Sequence, residues 1–363
     1  MRILVYSNCA LDPALGSGKT RVRFSEGLRA RGHEVRVVEP DEFEFAPRLR
    51  AGKRFRLAWG ALRHARRTLV QARFDVVEIN GGEFGALARW LCSRTGRPLL
   101  VHRTDGCELL APAGSRARRR RLPAGFAGLH RRLDEDAFAR VDACVTLCDL
   151  DRRYLQETQR QPAERLRVVP PGVDDEFLAQ PEPGVRAPRL AFLGSWIDRK
   201  GVSALAESAA TVLGKFLTLE LDLFGVGRGE EEIRGHFPEA VRRRVRVPGR
   251  LAPAVLASRL AQASIFVFPS RYEGYGMAVA EAMACGCAVV TTPTGFGGAL
   301  RDGEEALIVP AADATALTAA MVRLVEDGNL RLGLSRAGWR RVQSHRWAES
   351  VRRLEEAYAG WLK

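Results

Sequence analysis

The chain has 363 residues, of which 46% are hydrophobic and 28% are charged, the proportions of a soluble globular protein. This length predicts two domains rather than one core, and no apolar run reaches the roughly 18 residues that a membrane-spanning helix needs. Lys and Arg number 57 against 43 Asp and Glu, a formal net charge of +14 that favours an anionic partner.

In the first half of the chain, short apolar runs alternate with amphipathic helical stretches. This pattern is typical of a parallel sheet covered by helices. The runs are RILVYSN, EVRVVEP, DVVEIN, PLLVHRT, ACVTLC and LRVVPPG. They predict an N-terminal Rossmann-like, doubly wound domain over residues 1–169.

The stretch DPALGSGKTRVRF, residues 12–24, follows the first apolar run and ends like a phosphate-binding P-loop. A P-loop requires G-x-x-x-x-G-K-[ST], and Pro13 occupies the position of the first glycine. We also find no apolar strand that ends in a magnesium-binding Asp of the usual type. A P-loop NTPase therefore remains a minor alternative.

Two strongly basic segments lie in the same half. Residues 48–67 can be drawn as a helix with apolar residues on one side and Arg and Lys on the other faces. Residues 116–121 read RARRRR. Either segment could face an anionic membrane surface or a phosphorylated acceptor, and a solvated Arg-rich surface is an equal alternative. Nucleic acid is disfavoured, because aromatic residues do not alternate with the basic ones as base stacking requires. The apolar side of the predicted helix comprises Leu57, Ala58, Ala61, Leu62 and Ala65.

Residues 170–188 carry five prolines and two glycines and predict an interdomain linker. A second series of apolar runs then begins: RLAFLGS, LELDLFG, VRVPGR, SIFVFPS, CAVVTTP and ALIVP. It predicts a second Rossmann-like domain over 189–344. The segment 345–363 predicts a C-terminal helix that packs back toward the N-terminal domain. The expected class is α/β, with two doubly wound domains facing a central cleft.

The most informative stretch is FPSRYEGYGMAVAEAMACGCAVVTTP, residues 268–293. A predicted strand runs into a turn with Gly274 and Gly276, and an apolar helix follows from about Met277. Glycines allow close approach of the backbone to a ligand, and a helix N-terminus offers free N–H groups to an anion such as a diphosphate. Glu273 lies in the loop and Glu281 lies roughly 7 Å along the helix. An acid inside an apolar helix is costly unless it is paired, which favours a functional role for Glu281.

The frame S-x-x-E-G-[YF]-G-x-x-x-x-E-A-M-A-x-G, with its E-x7-E spacing, resembles the retaining glycosyltransferases of family 4, which have the GT-B fold. Further segments resemble family motifs in the family's order, and together they extend over nearly the whole chain. They are LRARGHEV (28–35), RVVPPGVD (167–174), FLGSWIDRKG (192–201), LFGVG (223–227) and RDGEEALIVP (301–310).

The resemblance implies a donor site in the C-terminal domain. Glu281 would hold the ribose hydroxyls, and Glu273 the transferred sugar. Lys200 would neutralise the diphosphate. Family members commonly have Gly-Arg where this chain has Gly194-Ser195, so Arg199 is the expected substitute for the second phosphate-binding cation. The backbone from Gly274 through Tyr275 and Gly276 to Met277 would contact the sugar and the diphosphate.

In the N-terminal domain the resemblance points to the ends of two predicted strands. Gly16 and Gly18 of the first glycine-rich loop would approach the sugar nucleotide. His102, at the end of LLVHRTDG, would lie near the transferred sugar as a catalytic residue together with Glu273. Asp105 and Arg103 are weaker candidates for the acceptor side.

The sequence thus predicts a retaining, metal-independent hexosyltransferase with a nucleotide diphosphate sugar as donor. The acceptor hydroxyl would belong to a cell-envelope glycan, glycolipid or polysaccharide, and the basic segments suggest an anionic or lipid-linked molecule. We expect no metal or other cofactor and no nucleic acid. A non-catalytic, basic membrane- or polymer-binding protein with a degenerate GT-B fold is the alternative.

The N-terminus lacks the apolar core of a secretion signal. The seven cysteines contain no CxxC pair, and most lie in apolar runs as expected for buried reduced thiols. The predicted location is the cytoplasm, with peripheral contact to the inner membrane face.

Overall fold

The computed structural model describes residues 1–12, 16–49, 52–107 and 124–363. These residues form two compact units. Unit 1 comprises Met1–Pro171 and Trp347–Lys363, and unit 2 comprises Gly172–Arg346. The proline-rich segment 170–188 falls mostly within unit 2, where it includes a short helix.

Unit 1 is built on a six-stranded parallel sheet in the order β2-β1-β3-β4-β5-β6. The chain order reverses at β1, which pairs with β2 on one side and with β3 on the other. The strands are β1 (Arg2–Tyr6), β2 (Glu34–Val38), β3 (Val76–Ile79), β4 (Leu99–Arg103), β5 (Ala143–Thr146) and β6 (Leu166–Val168).

Both faces of this sheet are buried. Because successive side chains of a strand point to opposite faces, Leu4 and Tyr6 pack with α3 and α4 while Ile3 and Val5 pack with α1 and the C-terminal helix. The helices are α1 (Gly16–Ala30), α2 (Pro40–Phe43), α3 (Lys53–Gln71), α4 (Gly85–Cys92), α5 (Ala124–Ala139), α6 (Asp149–Glu157) and the C-terminal helix (Trp347–Trp361).

The C-terminal helix packs on α1 although the two are far apart in the sequence. Trp347 meets Phe24 edge-on, with ring centroids 5.4 Å apart. The buried Tyr358 donates its hydroxyl hydrogen to Glu78 of β3. Glu78 also pairs with Arg103 of β4, whose Nη2 lies 2.7 Å from its Oε1. The helix therefore completes both the apolar core and a buried polar cluster of unit 1.

Unit 2 has a second parallel sheet, in the order β12-β11-β10-β7-β8-β9. Its strands are β7 (Leu190–Leu193), β8 (Leu221–Phe224), β9 (Val245–Arg246), β10 (Ile265–Phe268), β11 (Ala288–Thr291) and β12 (Leu307–Ile308). Its helices are α7 (Asp175–Leu178), α8 (Val202–Lys215), α9 (Glu230–Arg234), α10 (Glu239–Arg242), α11 (Pro253–Gln262), α12 (Met277–Ala284), α13 (Ala314–Glu326) and α14 (Gly328–Val342).

Each predicted apolar run contains one of these strands, and both sheets are parallel, so the predicted α/β class is confirmed. The basic segment 48–67 overlaps α3, and its predicted apolar side is buried. The basic run 116–121 lies outside the described residues. In the described ranges, no helix is both long enough and apolar enough to cross a membrane.

Candidate functional site

The candidate site of unit 2 lies at the carboxyl ends of β7 and β10, which are neighbours in the sheet although not in the chain. In open α/β sheets, this point of reversed strand order is where ligands bind. The loop after β7 carries Arg199 and Lys200, and the loop after β10 carries Glu273. The fold therefore brings together two segments that are about seventy residues apart.

Lys200 ends a short 3-10 turn, Asp198–Lys200, that precedes α8. Its Nζ lies 2.8 Å from Oε1 and 3.0 Å from Oε2 of Glu273, and 4.8 Å from the centre of the Phe268 ring. Burial lowers the pKa of Lys200 below its ordinary value of 10.5, and the attraction of Glu273 only partly offsets this effect. The site thus contains a buried cation neutralised by one carboxylate.

Glu273 is buried and has two further partners. The Ser270 hydroxyl donates to its Oε1, and Arg199 Nη1 lies 3.5 Å from the same oxygen. Arg199 also donates to the Tyr272 carbonyl at 2.9 Å, and its side chain is 41% exposed. Arg199 is thus the solvent-facing cation of the pair with Lys200, and a ligand at the surface can reach it.

The loop from Gly274 to Met277 leads into α12. Gly276 is the N-cap residue with φ of +84°, a left-handed conformation that favours glycine, and no side chain caps the helix. Val279 N already donates to the Gly276 carbonyl at 2.9 Å, so the N–H groups of Met277 and Ala278 are the ones that can donate to an anion. Glu281 lies in the second turn of this helix and is buried together with the apolar residues around it.

The loop after β11 supports the site, and sequence reasoning did not assign it a role. Thr292 Oγ1 donates to the Ser270 carbonyl at 2.5 Å, and Phe296 N donates to the Tyr275 carbonyl at 2.6 Å. The Phe296 ring stacks on the Tyr275 ring at 5.3 Å between centroids. Sequence reasoning did not identify Ser270 as a partner of Glu273, although the S-x-x-E pattern places it three residues before Glu273.

In unit 1, the two glycines of the first loop differ. Gly16 is the exposed first residue of α1. Gly18 is buried, and a Cβ there would lie 2.3 Å from the carbonyl oxygen of Asp12. Packing against the loop after β1 accounts for Gly18, whereas a ligand contact at Gly16 stays a prediction. Residues 16–20, GSGKT, form the first turn of α1 with Lys19 in it.

His102 was predicted to be catalytic, but the structure places it inside the sheet. Its side chain is fully buried and stacks on Phe138 with centroids 4.1 Å apart. Nε2 accepts a hydrogen bond from Gly81 N at 3.1 Å, so Nδ1 carries the hydrogen and donates to the Ala137 carbonyl at 2.8 Å. Burial lowers its pKa to about 4. Both nitrogens of His102 are engaged within the protein in this structure, and its predicted catalytic role stays a prediction.

Arg103 was predicted on the acceptor side, and this geometry argues against that role. Its guanidinium is buried, pairs with Glu78 and lies 4.8 Å from the centre of the Phe24 ring. A charge neutralised in the core is not available to an acceptor. Asp105, in contrast, is partly exposed at the end of β4 and pairs with Arg21 at 2.5 Å.

Known protein families match both units of this chain. A family model described as Glycosyl transferases group 1 matches residues 187–327, and one described as Glycosyltransferase Family 4 matches residues 16–177. Phosphatidyl-myo-inositol mannosyltransferase of Mycobacterium leprae is 27% identical, over 99% of this chain and 96% of its own length.

Solved structures share the fold. Sucrose-phosphate synthase of Thermosynechococcus elongatus has a TM-score of 0.77 at 20% identity, covering 99% of this chain and 98% of its own. HepE of Anabaena, solved in complex with UDP and glucose, has a TM-score of 0.71 at 16% identity and covers 99% of both chains. The two parallel sheets and these neighbours define a two-domain fold of the GT-B type, and the family models define the class as glycosyltransferase. The chain belongs to glycosyltransferase family 4, as its motifs predicted.

Proposed function

We propose that the protein is a retaining glycosyltransferase that moves a hexosyl unit from a nucleotide diphosphate sugar to an acceptor hydroxyl. The observation that carries this proposal is the pairing of Lys200 with Glu273 beside the open N-terminus of α12. It combines cations and N–H groups for a diphosphate with a carboxylate for sugar hydroxyls.

In this proposal the donor lies along the carboxyl ends of the unit 2 strands. Lys200 and Arg199 face the diphosphate, and the amides from Gly274 to Met277 meet its oxygens and the sugar. Glu281 holds the ribose hydroxyls and Glu273 the transferred sugar. The complex of the Anabaena relative with UDP and glucose supports a donor of this chemical class.

Fixed cations at the leaving diphosphate lower the energy of the transition state, because negative charge develops there as the sugar departs. The acceptor would attack from the face that the diphosphate leaves, and a phosphate oxygen would take the acceptor proton. This front-face route retains the anomeric configuration and needs no protein base, which agrees with the burial of His102. We propose that turnover needs no divalent metal, since Lys200 and Arg199 supply the charge.

The donor test is a panel of UDP-, GDP- and ADP-sugars, read by thermal shift and by nucleotide release with Mg²⁺ or with EDTA. A matching donor should raise the melting temperature and be turned over equally well in both conditions. NMR analysis of the product should show a retained anomeric centre, and inversion would contradict the mechanism. ATP hydrolysis without use of any sugar nucleotide would favour a P-loop NTPase, and no turnover at all would favour a non-catalytic binder.

We further propose that unit 1 meets an anionic membrane surface that carries a lipid-linked acceptor. Along the exposed side of α3, Trp59, Arg63, Arg66, Arg67 and Val70 follow one another at helical spacing. Trp59 is 59% exposed and Val70 83% exposed, and none of these three arginines forms an ion pair within the described part of the chain. Basic residues with an exposed Trp are typical of helices that lie at a lipid interface.

The mycobacterial relative named a phosphatidyl-myo-inositol mannosyltransferase supports a lipid acceptor of this kind. The location would then be the cytoplasmic face of the inner membrane. Flotation with vesicles of phosphatidylcholine, with and without anionic phosphatidylglycerol, tests the surface. Trp59→Ala and Arg63→Glu should each weaken binding to anionic vesicles, whereas Leu217→Ala, at an exposed apolar residue of unit 2, should not. Equal binding to neutral and anionic vesicles would contradict the proposal.

A further inference from the structure

Arg21 is a buried arginine of unit 1 with polar partners on several loops. It lies on the buried side of α1 with Phe24 and Leu28, and its side chain is 1% exposed. Its guanidinium makes four hydrogen bonds and one ion pair. Nε donates to Asn80 Oδ1 at 3.0 Å, Nη1 to Cys9 Sγ at 3.0 Å and Ser17 O at 3.1 Å, and Nη2 to Asn8 Oδ1 at 3.1 Å. Nη2 also lies 2.5 Å from Asp105 Oδ2 in an ion pair.

These acceptors come from the carboxyl ends of three neighbouring strands. Asn8 and Cys9 follow β1, Asn80 follows β3 and Asp105 follows β4, which lie side by side in the sheet. Ser17 belongs to the first turn of α1. A single guanidinium therefore fixes the relative positions of three loops and of the helix that contains it.

The surface formed by these loops at the carboxyl ends of the strands is polar, and the guanidinium of Arg21 is buried beneath it. Asn8 and Asp105 are partly exposed, and Asp105 accepts a hydrogen bond from Thr20 Oγ1 at 3.2 Å in addition to its ion pair with Arg21. A carboxylate has about four acceptor sites, so Asp105 can still accept from a ligand. Because the guanidinium of Arg21 is buried and already paired with Asp105, the carboxyl ends of these strands present Asn8 and Asp105, which bind hydroxyls, rather than this cation, which would bind a phosphate.

We propose that Arg21 is a positioning residue, which holds Asp105 and Asn8 in place for the hydroxyl-rich headgroup of a lipid acceptor. This inference rests on the proposed transferase function. Lysine cannot replace Arg21, because an ammonium has three donors at one point and cannot reach acceptors on three loops. The effect of Arg21 should therefore fall on the acceptor and not on the donor.

The test compares wild type, Arg21→Lys and a matched control, Arg97→Lys. Arg97 also pairs with an aspartate, because its Nη2 donates to Asp142 Oδ1 at 2.7 Å. It lies just before β4, at the amino ends of the strands and therefore on the side of the sheet away from Asp105. The probes are the preferred sugar nucleotide, whose release without acceptor reports hydrolysis, and phosphatidylinositol in phosphatidylcholine vesicles as the acceptor. Arg21→Lys should raise the acceptor KM about tenfold or more and leave the donor KM and the hydrolysis rate within about twofold.

Arg97→Lys should leave all of these constants near their wild-type values. An unchanged acceptor KM in Arg21→Lys, an equal rise in Arg97→Lys, or a fall in kcat alone would overturn the inference. Wild type that hydrolyses the donor but transfers nothing to phosphatidylinositol would also overturn it. Wild type that releases no nucleotide from any donor would overturn the proposed function and this inference with it. If Arg21→Lys does not fold, Asp105→Asn must raise the acceptor KM on its own for the inference to stand.

Discussion

The ammonium of Lys200 contacts both carboxylate oxygens of Glu273, at 2.8 and 3.0 Å, in a largely buried setting where the two side chains are 15% and 8% exposed. The charge pair is therefore formed without a donor. In the proposed donor complex, the diphosphate would add negative charge near Lys200, and the sugar would use the remaining acceptor capacity of Glu273. Removing one member would leave the other as an uncompensated buried charge.

Replacing Lys200 with Met should therefore reduce both donor affinity and stability. We expect donor affinity to fall about a hundredfold, the value of roughly two charged hydrogen bonds, and the free energy of unfolding to fall by about 3 kcal/mol. Calorimetry with the preferred donor and urea unfolding measure the two effects. Lys200→Met combined with Glu273→Gln should recover much of the stability without recovering affinity. A double variant as unstable as the single one would contradict this account of the pair.

Donor affinity should decline at a lower pH than it would with a lysine of ordinary pKa. The pKa of Lys200 is lowered by burial below 10.5, and only the protonated form attracts a diphosphate. Because the folded state lowers the pKa of Lys200, protonation of this lysine costs free energy on folding. This cost is fully present at low pH and disappears as pH rises through the unfolded-state pKa. Calorimetric titrations across a pH series should show the decline beginning below pH 10.5. The decline should be absent from Lys200→Met.

Glu281→Ala should weaken donor binding while the overall fold persists. Loss of hydrogen bonds from a carboxylate to ribose hydroxyls predicts a decrease of about 10- to 100-fold in affinity for both the nucleotide diphosphate and the sugar nucleotide. Glu326→Ala is the matched control, because Glu326 lies on α13, is 53% exposed and pairs only at the surface with Lys215. Unchanged donor affinity in Glu281→Ala would remove this residue from the site.

The backbone at Gly201 holds the Lys200 loop close to the loop after β10. Gly201 has φ of +70°, and a Cβ there would lie 1.9 Å from the Pro269 carbonyl oxygen, so Gly201→Ala must separate the loop after β7 from the loop after β10. We expect a loss of more than about 3 kcal/mol in stability together with weaker donor binding. Gly214→Ala, near the end of α8 and free of contacts within 4 Å, should instead raise stability by about 0.5–1 kcal/mol. Thermal unfolding with and without donor compares the two.

The cluster of Tyr358, Glu78 and Arg103 should make unit 1 acid-sensitive. Burial alone would raise the pKa of Glu78, but Arg103, Tyr358 and Arg21 lower it, and the net value lies below 4.5. A lowered carboxyl pKa stabilises the fold above its unfolded-state value, and this stabilisation is lost as pH falls through the folded-state value.

In urea unfolding, Glu78→Gln should cost about 3–5 kcal/mol at neutral pH and should lack the part of the acid dependence below pH 4.5 that Glu78 causes. Tyr358→Phe should cost about 2 kcal/mol. Tyr154→Phe is a suitable control, because that tyrosine packs on the core and its hydroxyl has no partner in the described part of the chain. If Tyr358→Phe and Tyr154→Phe lowered the free energy of unfolding equally, the hydrogen bond from Tyr358 to Glu78 would not account for the loss.

The periodicity of the sequence was sufficient to predict every strand and the parallel class, because buried parallel strands are short apolar runs between helices. The loop motifs were sufficient to assign Lys200 and Glu273 to one predicted donor site, but the direct ion pair between them was not predicted. The environments of His102 and Arg103 were not predictable in this way. Adjacent residues of a strand face opposite sides of the sheet, and each depends on a distant partner: the Ala137 carbonyl for His102, and Glu78 with Tyr358 for Arg103.

Arg21 was missed for a related reason. An arginine in the first helix of a basic chain looks like a surface residue, and its position beside Phe24 and Leu28 on the apolar side of α1 was the only local signal. Its five partners are spread from Asn8 to Asp105, a distribution that no short window of sequence contains.

The return of the C-terminal helix to α1 has a consequence for the order in which the protein matures. Unit 2 is continuous in sequence, whereas unit 1 lacks Val351, Leu354 and Tyr358 of its core until residues 347–363 are made. During translation unit 2 can complete its core while one face of the unit 1 sheet is still uncovered by the helix Trp347–Trp361. A stop codon shortly before Trp347 would thus spare unit 2 and leave the first-made part of unit 1 exposed to proteases and aggregation.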